Sequence, residues 1–299
     1  MTADPRIKAN SATPVDKARP DSAPVRPHRR RRPHWAHVVL APLAVLWLIP
    51  IVMVVGLSLL PTSNPGTTAL GLFPQEPSLG NYVEIWTNNP ILRNVVNSLL
   101  ITVPSVLLVI LFGSMTAFAL ARLRVPLKAV IFGALTLALI LPMSSIVVAT
   151  FKILQAMGLY NNLAGLVLVY TALGLPFAVI IIRTSFLAVP YELYEAALLD
   201  GASKFSVYWK IYLPLSRPAL AVVAIWQSMS SWNDFLLPLV TLEDNKLKPL
   251  TLIPLAYRGT FLSQPGALFA ILVLISIPIV VVFLLVQRHL VNGLSGAIK

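Results

Sequence analysis

The 299-residue chain has no cysteine, which excludes disulfides, thiolate nucleophiles and cysteine-ligated metals. Histidine is scarce and poorly placed for chemistry: His28, His34, His37 and His289 all lie toward the ends. A Ser-His-Asp triad or a histidine metal site in the body of the chain would need an interior imidazole, so hydrolytic and zinc catalysis are disfavoured. No G-x-x-x-x-G-K-[ST] run occurs, so the chain lacks a phosphate cradle of its own. Charge is thin as well. Charged residues make up 11% of the chain, with 11 acids against 23 Lys and Arg.

What is present is apolar: 57% of residues are hydrophobic and the mean hydropathy is +0.80. A soluble domain cannot hide that much apolar surface, so the chain reads as an all-α membrane protein with several spans. Residues 37–60, 94–121, 129–151, 163–186, 218–240 and 265–287 are predicted to be six transmembrane helices. In the second, Gly113, Ala117 and Ala121 form a small-residue stripe suited to close helix packing. Residues 1–34 are rich in Pro, Ala, Ser and charge without apolar periodicity, and are predicted to be a disordered tail. The tail ends in Arg29-Arg30-Arg31-Arg32, which suits a cytoplasmic anchor beside anionic headgroups. The net charge of +12 sits mainly in this tail and a few loops, which argues against nucleic acid as a partner. With both ends inside, 18 of the 23 Lys and Arg fall on the cytoplasmic side. The expected plan is therefore a basic cytoplasmic tail (1–34), a six-span domain (35–290) and a short cytoplasmic carboxy-terminal tail (291–299).

Between spans four and five lies YELYEAALLDGASKFSVYWKIYLPLSRP, residues 191–218, which the charge bias places in the cytoplasm. Pro190 precedes a short predicted helix over 191–199, with Glu192 and Glu195 in its first turns, where acids suit the helix dipole. Asp200-Gly201 supplies a stop, because Gly readily takes the left-handed conformation of a helix end. Ser203 is placed to cap a second helix through Trp209 and Ile211, and Pro214 is expected to end it. Small residues at the bend (Ala196, Ala197, Gly201, Ala202) would let another protein's backbone approach closely.

Glu195-Ala196-Ala197, three residues, Gly201, nine residues, then Ile211-Tyr212-Leu213-Pro214 resembles the EAA loop of binding-protein-dependent ABC importer permeases. Asp200-Gly201-Ala202-Ser203 and Leu213-Pro214-Leu215 resemble its carbohydrate-uptake, MalG-like branch. Asn81-Tyr82, Trp86, Arg93-Asn94, Asn97-Ser98 and Trp232-Asn233-Asp234-Phe235 are similar to the same branch, so the likeness covers residues 35–299. It implies a permease subunit of an ATP-driven sugar importer in a bacterial cell membrane. The implied partners are a second, MalF-like permease, two ABC ATPase copies and an extracytoplasmic solute-binding protein. No cofactor would be bound by this chain, with ATP and magnesium held by the ATPase. Glu192, Glu195, Ala196, Ala197, Asp200, Gly201, Ala202 and Ser203 would form the ATPase-coupling loop. The long basic tail departs from the family pattern and is expected to be dispensable.

Span five is the polar exception among the apolar runs. Gln227, Ser230, Ser231 and Asp234 recur at helical spacing, with Trp232 and Asn233 among them. Unpaired polar groups are costly in hydrocarbon, so this face must meet water or other helices. Two readings stand: a substrate path, in which amides and hydroxyls bind sugar hydroxyls beside indole rings, or hydrogen bonding between helices. For function, the alternatives are a permease for another solute, such as glycerol phosphate or a polyamine, and a stand-alone secondary transporter. The latter usually needs buried ionisable residues and inverted repeats, and here only Asp234 lies within a span.

Overall fold

The computed structural model describes residues 35–61, 74–257 and 265–296, with side chains over 37–61, 74–257 and 265–284. The tail over 1–34, with its predicted disorder, lies outside the described residues, as do parts of both polar loops. Contacts divide the chain into Met1–Trp47 and Leu48–Lys299. In the first unit the start of α1 (Trp35–Ser58) leaves Val38, Leu40, Leu46 and Trp47 exposed. Apolar residues on every side of a helix mark one that faces lipid or another chain.

Among the described residues, the second unit is built from helices. α2 (Gly80–Asn88) closes the end of α1 through Asn81, whose Nδ2 donates to the carbonyls of Ser58 (3.0 Å) and Leu60 (2.6 Å). Terminal helix carbonyls lack partners along the chain, and this side chain supplies one. α3 (Ile91–Arg122) and α6 (Leu163–Ala188) form the central pair. A Cβ at Gly113 would lie 2.8 Å from the Cβ of Ala178, so the glycine is what lets the two backbones approach. Here the small-residue stripe read from the sequence meets its partner helix.

Two predicted spans are not single helices. The third is split into α4 (Lys128–Ala138) and α5 (Met143–Ala156), bent by 106°. Pro142 precedes α5 in an extended conformation, and a residue before proline is itself pushed out of the helical region, so the break falls where the sequence forces it. The fifth comprises α10 (Arg217–Asn233) and α11 (Leu236–Thr241), separated by an extended Asp234. By length and composition, four described helices can cross a membrane, or five if the bent α4–α5 pair counts as one span. α12 (Pro265–Gly296) continues past 287, where the predicted sixth span ends.

The polar residues at the entrance to α3 serve the loop after α11. Asn97 Nδ2 donates to the carbonyls of Lys246 and Lys248, and Asn94 Nδ2 donates to Lys248 as well. Ser98 Oγ accepts from Leu250 N–H at 2.9 Å. Across the same loop, Asn161 Oδ1 accepts from the amides of Glu243 and Asp244. Irregular backbone is thus held by side chains from α3 and from the turn before α6, which supply partners for its polar groups.

Candidate functional site

The elbow between α6 and α10 is built from local rules. Val189 and Pro190 are extended, as an X-Pro step demands, and α7 (Tyr191–Leu199) starts directly after them. Its end is a complete Schellman motif: Ala202 N–H bonds the Ala197 carbonyl at 3.0 Å and Gly201 N–H bonds Leu198 at 3.1 Å. Gly201 has φ +80°, and a Cβ there would meet nothing within 4 Å. The glycine answers the backbone conformation, not crowding within the chain, and the space beside it stays open. Ser203 Oγ then accepts from Ser206 N–H at 3.2 Å, capping α8 (Lys204–Val207).

The second elbow helix does not stop at Pro214. α8 runs into a π-helical turn, Tyr208–Tyr212, in which Leu213 N–H bonds the Tyr208 carbonyl, and then into α9 (Leu213–Leu215). Proline normally breaks a helix through its ring and its missing N–H. Here the wider turn sits immediately before it and carries the helix on to Ser216. Buried Ser216 accepts a hydrogen bond from Ser185 of α6 at 2.9 Å, which ties that end of the elbow to the central pair.

The elbow rests on an aromatic cluster. Phe118 of α3 lies 5.2 Å from Tyr212, 5.3 Å from Tyr208 and 6.2 Å from Phe186, with Tyr194 beside them. Tilted and edge-on pairs of this kind each contribute about 0.5–1.5 kcal/mol beyond their buried area. Tyr194 is the one buried residue of α7, and burial pushes the Tyr194 and Tyr212 phenols up, so both stay neutral at physiological pH. The opposite surface is open: Glu192, Glu195, Ala196, Asp200, Gly201 and Ser203 are exposed, Ala197 and Ala202 are half-buried, and Leu199 is 89% exposed. Phe205 and Trp209, stacked 6.3 Å apart, extend this apolar surface. The elbow is therefore a rigid platform with acids, small residues and an unburied leucine at its bend.

The polar residues of span five lie elsewhere and do different things. Gln227 is only 3% exposed, and its Nε2 donates to the Tyr170 carbonyl of α6 at 3.1 Å. Its amide occupies the space over Gly174, where a Cβ would come within 2.2 Å of Oε1. Asp234 holds the bend: Oδ2 accepts from the Tyr170 hydroxyl (2.7 Å), Oδ1 from Leu236 N–H (3.0 Å) and its carbonyl from Thr251 (2.9 Å). Ser231 bonds back to Gln227, and Trp232 Nε1 donates to the Ile275 carbonyl of α12 at 3.0 Å. Four of the six span-five candidates thus have partners inside the fold, while Ser230 and Asn233 are exposed. Ser230 and Gln227 also line a cavity of about 340 Å³ beside Trp226, whose far wall is the broken span at Leu139, Leu141 and Met143. Trp226, stacked on Phe177 at 4.9 Å, is the indole that faces this cavity; Trp232 is turned into the core. No cluster of His, Cys, Asp and Glu able to hold a metal ion occurs among the described residues.

Residues 88–296 match the family model for the binding-protein-dependent transport system inner membrane component. The trehalose transport system permease protein SugB of Mycobacterium tuberculosis is 34% identical over 90% of this chain and 98% of its own. The diacetylchitobiose uptake system permease protein NgcG of Streptomyces coelicolor is 32% identical, covering 87% and 86%. Among solved structures, a chain of a bacterial ABC transporter that imports the acidic polysaccharide alginate superposes with a TM-score of 0.73 at 23% identity. That superposition covers 85% of this chain and 94% of the other, and is a likeness of fold.

Proposed function

The chain belongs to the binding-protein-dependent transport system inner membrane component family, and from that premise we propose that it is a membrane-spanning permease subunit of an ATP-driven carbohydrate importer. Six spans with both termini in the cytoplasm agree with the charge bias, with α4–α5 and α10–α11 serving as interrupted third and fifth spans. Interruptions of this kind are tolerated in a bilayer where they line a cavity or are buried in protein, and both breaks here meet one of those conditions. The neutral, hydroxylated class of cargo is supported by relatives named for trehalose and diacetylchitobiose uptake. The cavity of Trp226, Gln227 and Ser230 supports it too, since it offers an indole face and a hydroxyl but no charge.

The observation that carries the reading is the elbow: a Schellman-closed bend at Gly201, open on its outer side and backed by buried aromatics. In this reading two cytoplasmic ATPases, which alone bind ATP and magnesium, receive the bend in a surface cleft. Glu192, Glu195 and Asp200 face the ATPase, and Leu199 fills an apolar site on it. Closure of the ATPase pair moves the elbow, and the spans behind it turn the pathway between this subunit and a second permease. An extracytoplasmic binding protein then releases its cargo into the pathway. The test is affinity purification from the native membrane, followed by reconstitution of the recovered chains. ATP-dependent sugar uptake with a second permease, an ATPase and a binding protein present is the expected result. A protein that purifies alone and transports without ATP would overturn it.

A further inference from the structure

Ser114, Phe118 and Arg122 stand one above another on α3, each four residues from the next, and every one of them engages the elbow. Ser114 Oγ shares a 2.8 Å hydrogen bond with the Tyr208 hydroxyl, and Phe118 is the hub of the aromatic cluster. Arg122, the last residue of α3, goes further: one terminal guanidinium nitrogen donates to the Phe186 carbonyl at 2.8 Å and to the Val189 carbonyl. Its central carbon lies 5.5 Å from the ring centre of Tyr191, which opens α7, and 5.2 Å from that of Tyr212, which closes the π-turn. Among the described residues its partners are carbonyls and rings, with no carboxylate.

Each of these contacts suits a cation. Arg122 sits at the negative end of its own helix and reaches the last turn of α6, the negative end of a second. A flat guanidinium can accept tyrosine faces while donating in its own plane, which a compact ammonium does less well. One side chain thereby joins four elements: α3, the end of α6, the start of the elbow and its return. Between α6 and α7 stand only the extended Val189 and Pro190. A two-residue extended link without cross-bracing is a hinge, and Arg122 bonds the carbonyl of Val189 within it.

We propose that Arg122 is a positioning residue for energy coupling: it locks the Val189-Pro190 link so that displacement of the elbow turns α3 and α6 as one body. This rests on the importer reading above. Without the lock, the elbow would still dock on the ATPase and its return helix would stay packed on Phe118, but the Val189-Pro190 link would take up much of its movement.

The experiment uses the complete transporter in liposomes with its binding protein, comparing wild type with Arg122→Gln, Arg122→Lys and Tyr191→Leu. Arg122→Gln is expected to keep the ATPase bound and hydrolysing while sugar moved per ATP falls tenfold or more. Arg122→Lys, which keeps the charge but not the planar stack, falls about two- to fivefold. Tyr191 is half-exposed, so Tyr191→Leu removes one ring face without threatening the fold and should fall by a similar factor. A purely structural role would lower the yield of folded complex and leave the ratio of uptake to hydrolysis unchanged. Wild-type ratios in Arg122→Gln would overturn the proposal. If that variant fails to assemble, a wild-type ratio in Tyr191→Leu overturns it instead. Absence of ATP-driven uptake by the wild-type complex would sink the importer reading itself, which keeps the two failures apart.

Discussion

The elbow and the bend in span five are both short interruptions between helices, both carry acids, and they dispose of their polar groups in opposite ways. In the elbow, Glu192, Glu195 and Asp200 point outward while the aromatic side is buried. In the span-five bend, Gln227, Ser231 and Asp234 point inward and are spent on the backbone and on Tyr170. The difference follows the solvent. Water satisfies an exposed carboxylate at no cost, so the elbow can keep its acids free for a partner. Within the bilayer thickness an unpaired amide or carboxylate is expensive, so the fold consumes it. A polar residue in a span is therefore weaker evidence of a binding site than an acid at an exposed bend.

The sharpest way to break that contrast is at Gly174. Gly174→Val would push into the Gln227 amide and the side chain of Val109. Overpacking of this kind costs about 1–3 kcal/mol, and a fall in thermal stability in detergent is expected. In a Gln227→Ala background the same change should cost less than the sum of the two. Unaltered unfolding temperatures would mean that the Gly174–Gln227 contact is loose. Gly201→Val is the opposite case, since its Cβ would meet nothing. The left-handed conformation costs a branched residue about 1–2 kcal/mol, so the protein should still insert and fold. Uptake, however, should fall at least tenfold; retained uptake would remove the bend from the coupling machinery.

Smaller effects separate the exposed polar residues from the spent ones. Ser230→Ala removes a hydroxyl from the cavity wall but no recorded internal hydrogen bond, so stability should move by less than about 0.5 kcal/mol. A several-fold rise in the sugar concentration needed for half-maximal uptake is expected, and kinetics identical to wild type would take this cavity out of the path. The smallest effect belongs to the tail. Deleting residues 1–25 should leave uptake unchanged, because Arg29 to Arg32 still mark the cytoplasmic side. Lost uptake with normal insertion would give the tail a role that its composition does not suggest.

The elbow was legible because its signals are local. Pro190, Asp200-Gly201 and Ser203 act within a few residues of themselves, and α7 has the bounds those residues predict. Pro214 misled for the same reason: its usual effect is local, and the π-turn that offsets it is not written in any adjacent residue type. Arg122 was visible only as one more charge on the expected cytoplasmic side, since its partners lie more than sixty positions away. Trp226 and Trp232 are indistinguishable as letters, and only packing sends one to a cavity and the other to Ile275.

By itself the sequence determined the class of molecule, its helical content and the form of the bend at Gly201. Those properties depend on composition and on interactions between near neighbours, which the order of residues states directly. Only the tertiary structure decided which polar groups are spent and which are free, where two spans break, and that α3 is bolted to the elbow through Arg122. Each of those outcomes is a pairing between distant segments. Which donor meets which acceptor is settled when whole helices find the one arrangement that leaves few buried groups unpaired.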